Sequence, residues 1–180
     1  MINKIIVAVD RSQHSKAVFN TAVSLAQASN GELMLLHILA KTEPEHPIAP
    51  TFTYYPLVQS QDYDTYQKEF ARYEQQGLEF LRYLTREANQ AGVEPEFTQL
   101  AGNPGQIICD LAHNWSADLV VVGSRGLRGL KEMFLGSVSN YVTHHAPCSV
   151  LIVRYALDSE PELDFAQAEL TDSQAKPLSH

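Results

Sequence analysis

Apolar runs that alternate with helical periodicities predict an α/β domain built on an open, doubly wound parallel sheet. Three observations carry that reading. Ile5–Val9 and Leu119–Val122 are short, uninterrupted apolar runs rich in β-branched residues, the pattern of strands buried on both faces. Turn signals separate such runs from stretches whose apolar residues recur at helical spacing. A glycine-rich segment, Gly123–Gly136, joins one of these strands to a helix.

Taken in order, Ile5–Val9 is the first strand. The polar turn Asp10–Ser15 follows, with Ser15 placed to cap a helix. Val18, Ala22, Leu25 and Ala26 form that helix's apolar face, and Asn30-Gly31 ends it. Leu33–Leu39 is the second strand, so the first forty residues spell a right-handed crossover unit. Residues 41–62 hold Pro44, Pro47, Pro50 and Pro56, which exclude a helix or central strand and predict a long loop or flap. Tyr63, Tyr66, Phe70, Tyr73, Gly77, Phe80 and Leu84 then mark one face of a helix running to about Ala91, a stripe expected to face the core.

Glu94–Leu100 is a weaker third strand. Pro104 stands near the start of the next helix, whose apolar face is Ile107, Ile108, Leu111 and Ala112. Leu119–Val122 is the fourth strand. Ser137 to about His144 is a short helix and Ser149–Val153 the fifth strand. Residues 155–180 carry six acidic residues against Lys176 alone, which predicts a flexible acidic tail outside a domain of residues 1–154.

Composition narrows the function. The chain has 180 residues, enough for one full core. Thirteen Lys and Arg against 21 Asp and Glu give a net charge of −8, which argues against a broad nucleic-acid surface. The longest apolar runs fall far short of the ~20 residues of a membrane span. The opening apolar stretch ends at Asp10 and does not read as a signal peptide. Cys109 and Cys148 form neither a disulfide framework nor a metal motif, so a cytoplasmic setting is expected. His113, His144 and His145 lack the company of other ligands at metal spacing.

The chemistry concentrates in Gly123–Ser137. Glycines let backbone amides approach a ligand, and the following helix offers its N-terminal N–H groups and positive dipole end. Arg125, Arg128 and Lys131 add three cations in an acidic chain. A phosphate group is the guest this pattern fits. The spacing is neither Gly-x-x-x-x-Gly-Lys-Ser/Thr nor Gly-x-Gly-x-x-Gly, so an ordinary P-loop and a dinucleotide fingerprint are both unsupported. No Gly-x-Ser-x-Gly elbow is present, and no residue stands out as a base for water attack on a phosphate.

What stands here is Gly123-x2-Gly126-x9-Gly136-Ser137. With Lys4–Asp10, Leu36-His37-Ile38, Ala117–Gly126 and Pro147–Arg154, it resembles the universal stress protein family over residues 1–154. The resemblance implies a Rossmann-like sheet of strand order 3-2-1-4-5, and a homodimer through the last strand. It also implies binding of ATP or AMP, with Mg²⁺ as a companion ion. Ala8 and Ile38 would bracket the adenine. Asp10 would hold ribose hydroxyls or the Mg²⁺. Val122, Gly123, Arg125 and Gly126 would line ribose and phosphates, with Arg128 and Gly129 nearby. Gly136, Ser137, Val138 and Ser139 would hold phosphates from the helix start. No catalytic residue is implied.

The leading expectation is therefore a nucleotide-binding regulatory component of the stress response. A slow ATPase or a phosphoryl or adenylyl transferase on the same fold is the enzymatic alternative. A nucleotide-independent interaction module, meeting a protein partner through the flap or the tail, is the third.

Overall fold

The computed structural model describes residues 2–12, 14–41, 46–49, 60–124 and 135–154. Its elements are β1 (Lys4–Val9), α1 (Ser15–Ser29), β2 (Glu32–Leu39), α2 (Ser60–Gln90), β3 (Glu96–Ala101), α3 (Pro104–Asn114), β4 (Leu119–Gly123), α4 (Ser137–His145) and β5 (Ser149–Val153). The strands form one sheet of order β3-β2-β1-β4-β5, with every neighbouring pair parallel. The strand order reverses at β1, so the loops after β1 and β4 start from adjacent strand ends.

Alternation along each strand divides the core in two. Ile5, Val7, Leu33, Leu35, Leu119 and Val121 face α1 and α2. Ile6, Leu36, Ile38, Val120 and Val122 face α3 and α4. Both faces of the central strands are therefore covered, which is why they read as unbroken apolar runs. At the opposite end of the sheet from those loops, the Asp118 carboxylate accepts from the backbone N–H groups of Asn3 (2.8 Å) and Lys4 (3.0 Å). The Lys4 ammonium lies 5.0 Å from the Trp115 ring centre.

α2 departs most from its sequence pattern. A helix of 31 residues spans about 46 Å, whereas the eight residues of β2 span about 26 Å. Leu81, Leu84 and Ala88 pack on the sheet, and Tyr73 is buried. Tyr63 is 48% exposed, and Tyr66 and Phe70 are only half-buried. The core-facing expectation thus holds from Tyr73 onward. The earlier turns run past the sheet, where their rings pack on one another at centroid distances of 6.5, 6.0 and 6.3 Å along Tyr63, Tyr66, Phe70 and Tyr73. His46 closes that end of the stripe, edge-on to Phe70 and Tyr73.

Three boundaries also move. α2 begins at Ser60, inside the segment expected to be loop, because the last proline of that segment is Pro56. β3 begins at Glu96 rather than Glu94, after Pro95, which has no N–H for the ladder. Ser15 is the first residue of α1 and does not cap it; the N-cap is His14. Residues 42–45 and 50–59 of the expected flap, and the expected tail at 155–180, lie outside the described residues.

Candidate functional site

A cavity of about 190 Å³ opens past the carboxyl ends of β1 and β4, at the point where the strand order reverses. Its floor is Ala8 from β1, Ile38 from β2, and Val122 and Gly123 from β4. Gly136, Ser137, Val138 and Ser139 form the wall at the start of α4. Asp10 enters from the loop after β1. The structure thus brings nine of the residues singled out from sequence around one space. Arg125, Gly126, Arg128 and Gly129 lie outside the described residues.

Asp10 organises its own loop. Its Oδ1 accepts from the Ser12 N–H (3.1 Å), the Ser12 hydroxyl (2.5 Å) and the Ser15 hydroxyl (2.8 Å). The Asp10 N–H donates to Ser15 Oγ at 2.7 Å. This tight reciprocal turn is what a short polar loop after a buried strand can build from Asp and Ser side chains. It fixes the carboxylate at the mouth of the cavity. Asp10 is also the one acidic side chain among the described residues that line it.

The helix starts differ in a way that matters chemically. α3 caps itself: Asn103 Oδ1 accepts from the N–H groups of Gly105 and Gln106, at 3.1 and 3.4 Å. The N-cap of α4 is Gly136, which has no side chain to cap with, and no side-chain cap closes the helix's first turn. The Ser139 hydroxyl turns back to the Gly136 carbonyl at 3.0 Å, so it takes up an acceptor and leaves the N–H groups alone. Ser137, Val138 and Ser139 line the cavity with their turn's N–H groups unsatisfied by any side-chain cap, together with the dipole's positive end. α1 also starts at the cavity without a side-chain cap, at His14. The arrangement holds a carboxylate that accepts hydroxyl hydrogen bonds, apolar side chains able to sandwich a flat ring, and a helix start that attracts an anion.

Sequence reasoning missed several lining residues. Ser12, His14, Ser15, Ala40 and Pro104 all line the cavity. Ala40 and Pro104 follow the carboxyl ends of β2 and β3, so strand-end position alone would have found them. Ser12 and Ser15 were legible as turn partners of an Asp two and five residues earlier. Cys109 and Cys148 take no part in this cavity and pack into the α3–α4 side of the core. Burial pushes both thiols above their ordinary value, with Asp110 adding to the effect at Cys109 and Asp118 at Cys148. Such thiols are weak nucleophiles near neutral pH.

The family model described as the universal stress protein family matches residues 1–154. The chain belongs to the universal stress protein family. The universal stress protein Sll1388 of Synechocystis is 40% identical over 153 residues, covering 84% of this chain and 97% of that one. A solved universal stress protein in complex with cAMP has 26% identity and a TM-score of 0.59, covering 86% of this chain and 99% of that one. An Arabidopsis thaliana universal stress protein family protein with AMP bound has 23% identity and a TM-score of 0.57, covering 89% and 97%. The family fold agrees with the sheet described above. No helix among the described residues is long and apolar enough to cross a membrane.

Proposed function

We propose that this universal stress protein binds an adenine nucleotide, AMP or ATP, and acts by changing its partner contacts with nucleotide state. One observation carries the reading. The start of α4 carries no side-chain cap and meets Asp10 across a cavity floored by Ala8, Ile38 and Val122. An adenosine with its phosphates satisfies those groups together: adenine between Ala8 and Ile38, ribose hydroxyls on Asp10, phosphates on the N–H groups of Ser137–Ser139. The neighbour in complex with cAMP shares the fold and 26% of its residues, which supports the same ligand class here.

Asp10 offers a single carboxylate, already accepting three hydrogen bonds from its loop on Oδ1. That suits Mg²⁺ only as an ion shared with nucleotide phosphates and water. On this reading the bound nucleotide serves as a sensed ligand. A switch of this kind needs only different affinities for two conformations.

We further propose a domain of residues 1–154, a cytoplasmic setting and a homodimer through β5. β5 ends the sheet, and its Val150, Leu151, Ile152 and Val153 are all only half-buried, which leaves apolar area for a partner. The nucleotide reading is tested by denaturing the purified full chain and identifying released small molecules by mass spectrometry. Adenine nucleotide at near-stoichiometric amount is expected. Its absence, together with no uptake after incubation with ATP or AMP, would contradict the proposal.

A further inference from the structure

A second cavity, of about 450 Å³, lies between the loop after β1 and the projecting part of α2. Glu69, Arg72, Tyr73 and Gln76 follow one another at helical spacing and form one wall; Arg11 and Pro47 form the other. Asp10 and Arg11 are consecutive, and they line different cavities. The two spaces are therefore separate. We propose that this second cavity is a binding site for a phosphate group, distinct from the nucleotide cavity.

The argument starts from charge. The chain is net −8, yet among the described residues that line this space Arg11 and Arg72 stand against one carboxylate, Glu69. Arg11 Nη1 donates to Gln76 Oε1 at 3.2 Å, which bridges the walls and sets the guanidinium in place. With that oxygen engaged, what Gln76 offers a ligand is its amide N–H. Glu69 and Arg72 stand three apart on the helix, where such pairs often join. No ion pair or hydrogen bond joins either one to any described residue. An anion on Arg72 would meet planar, forked donors that suit a tetrahedral oxyanion. Glu69 sets the selectivity: it accepts a hydroxyl or ammonium from the ligand and repels a second anionic group. The chemistry shared by inorganic phosphate and a hydroxyl-bearing phosphate monoester fits this wall, and a polyphosphate does not.

The test is a titration of isotope-labelled full-length protein, followed through the side-chain amide of Gln76 and the Nε–H of Arg72 by NMR. Inorganic phosphate and ribose 5-phosphate are the probes. Both signals should move and saturate, and Arg72→Gln should weaken binding by about tenfold or more, one charge-assisted contact being lost. Arg72 is exposed, so this variant keeps the fold. Gly136→Val, which alters only the nucleotide cavity, should leave these shifts unchanged. Tighter binding of ribose 5-phosphate than of phosphate assigns the site to a monoester, and equal or weaker binding assigns it to the free ion. Shifts confined to Ser137–Ser139, or Gln76 shifts that survive Arg72→Gln undiminished, would overturn the proposal.

Discussion

A Cβ placed on Gly77 would lie 2.2 Å from Gln99 Oε1 and 2.8 Å from His37 Cε1 and Nδ1. His37 is fully buried, edge-on to Phe80, and its Nδ1 sits 3.2 Å from Gln99 Oε1. Gln99 donates its amide to the Glu74 carbonyl of α2, so the amide oxygen faces His37 and the imidazole donates from Nδ1. Gln99 can swing aside; the buried His37 ring cannot. Gly77→Ala should therefore destabilise by about 1–3 kcal/mol in urea unfolding, although alanine is the better helix former by about 1 kcal/mol. Net stabilisation would show that α2 sits less tightly on β2 than described. Asp118 supplies a pH test. The N–H groups of Asn3 and then Lys4 hold its carboxyl below the ordinary value of 3.8. A depressed folded pKa gives stability that is full above the unfolded value and lost as pH falls through the folded one. Asp118→Asn should thus flatten the loss of stability between about pH 4 and pH 2. An unchanged acid limb would refute that role.

At the scale of elements, α2 separates what periodicity can and cannot tell. Its apolar residues recur at helical spacing throughout, but spacing reports a face and not what lies opposite it. The sheet ends before the helix does, so Leu84 is 1% exposed and Tyr63 is 48% exposed. Leu84→Ala should cost about 2–5 kcal/mol and Tyr63→Ala no more than about 0.5 kcal/mol, compared by thermal or urea unfolding. Equal costs would mean that the first turns of α2 are covered as fully as the last. The strands were legible because parallel pairing buries both faces and leaves continuous runs such as Val120-Val121-Val122. β3 was the faintest because it is an edge strand, with Phe97 and Leu100 exposed among polar neighbours. Of the cavity, Gly123, Gly136 and Ser137 were legible from loop chemistry, and Ala8, Asp10, Ile38, Val122, Val138 and Ser139 from the family resemblance. His14 was not, since only the fold shows α1 starting at the same space.

For the whole molecule, the topology does most of the functional work. The reversal of strand order at β1 sets the carboxyl ends of β1 and β4 side by side, bringing Asp10 within one cavity of the α4 start. Nothing local to either segment requires that meeting. Among the described residues, the same topology leaves β5 with one unpartnered edge. If that edge pairs two protomers, Ile152→Lys should shift the sedimenting species from dimer toward monomer, because lysine on an edge blocks strand pairing. A wild-type chain that sediments as a monomer at high concentration would dispose of the dimer.

The most direct measurement for the central claim is a calorimetric titration of the nucleotide-stripped full chain with AMP, ADP and ATP, with and without Mg²⁺, beside Gly136→Val. The wild type should bind at least one of them at one site per chain, and the variant should weaken that binding by roughly 100-fold, since it adds a branched side chain at the N-cap of α4, beside the N–H groups proposed to hold the phosphate. Binding that survives Gly136→Val at full strength, or no binding by the wild type under any condition, would contradict the account.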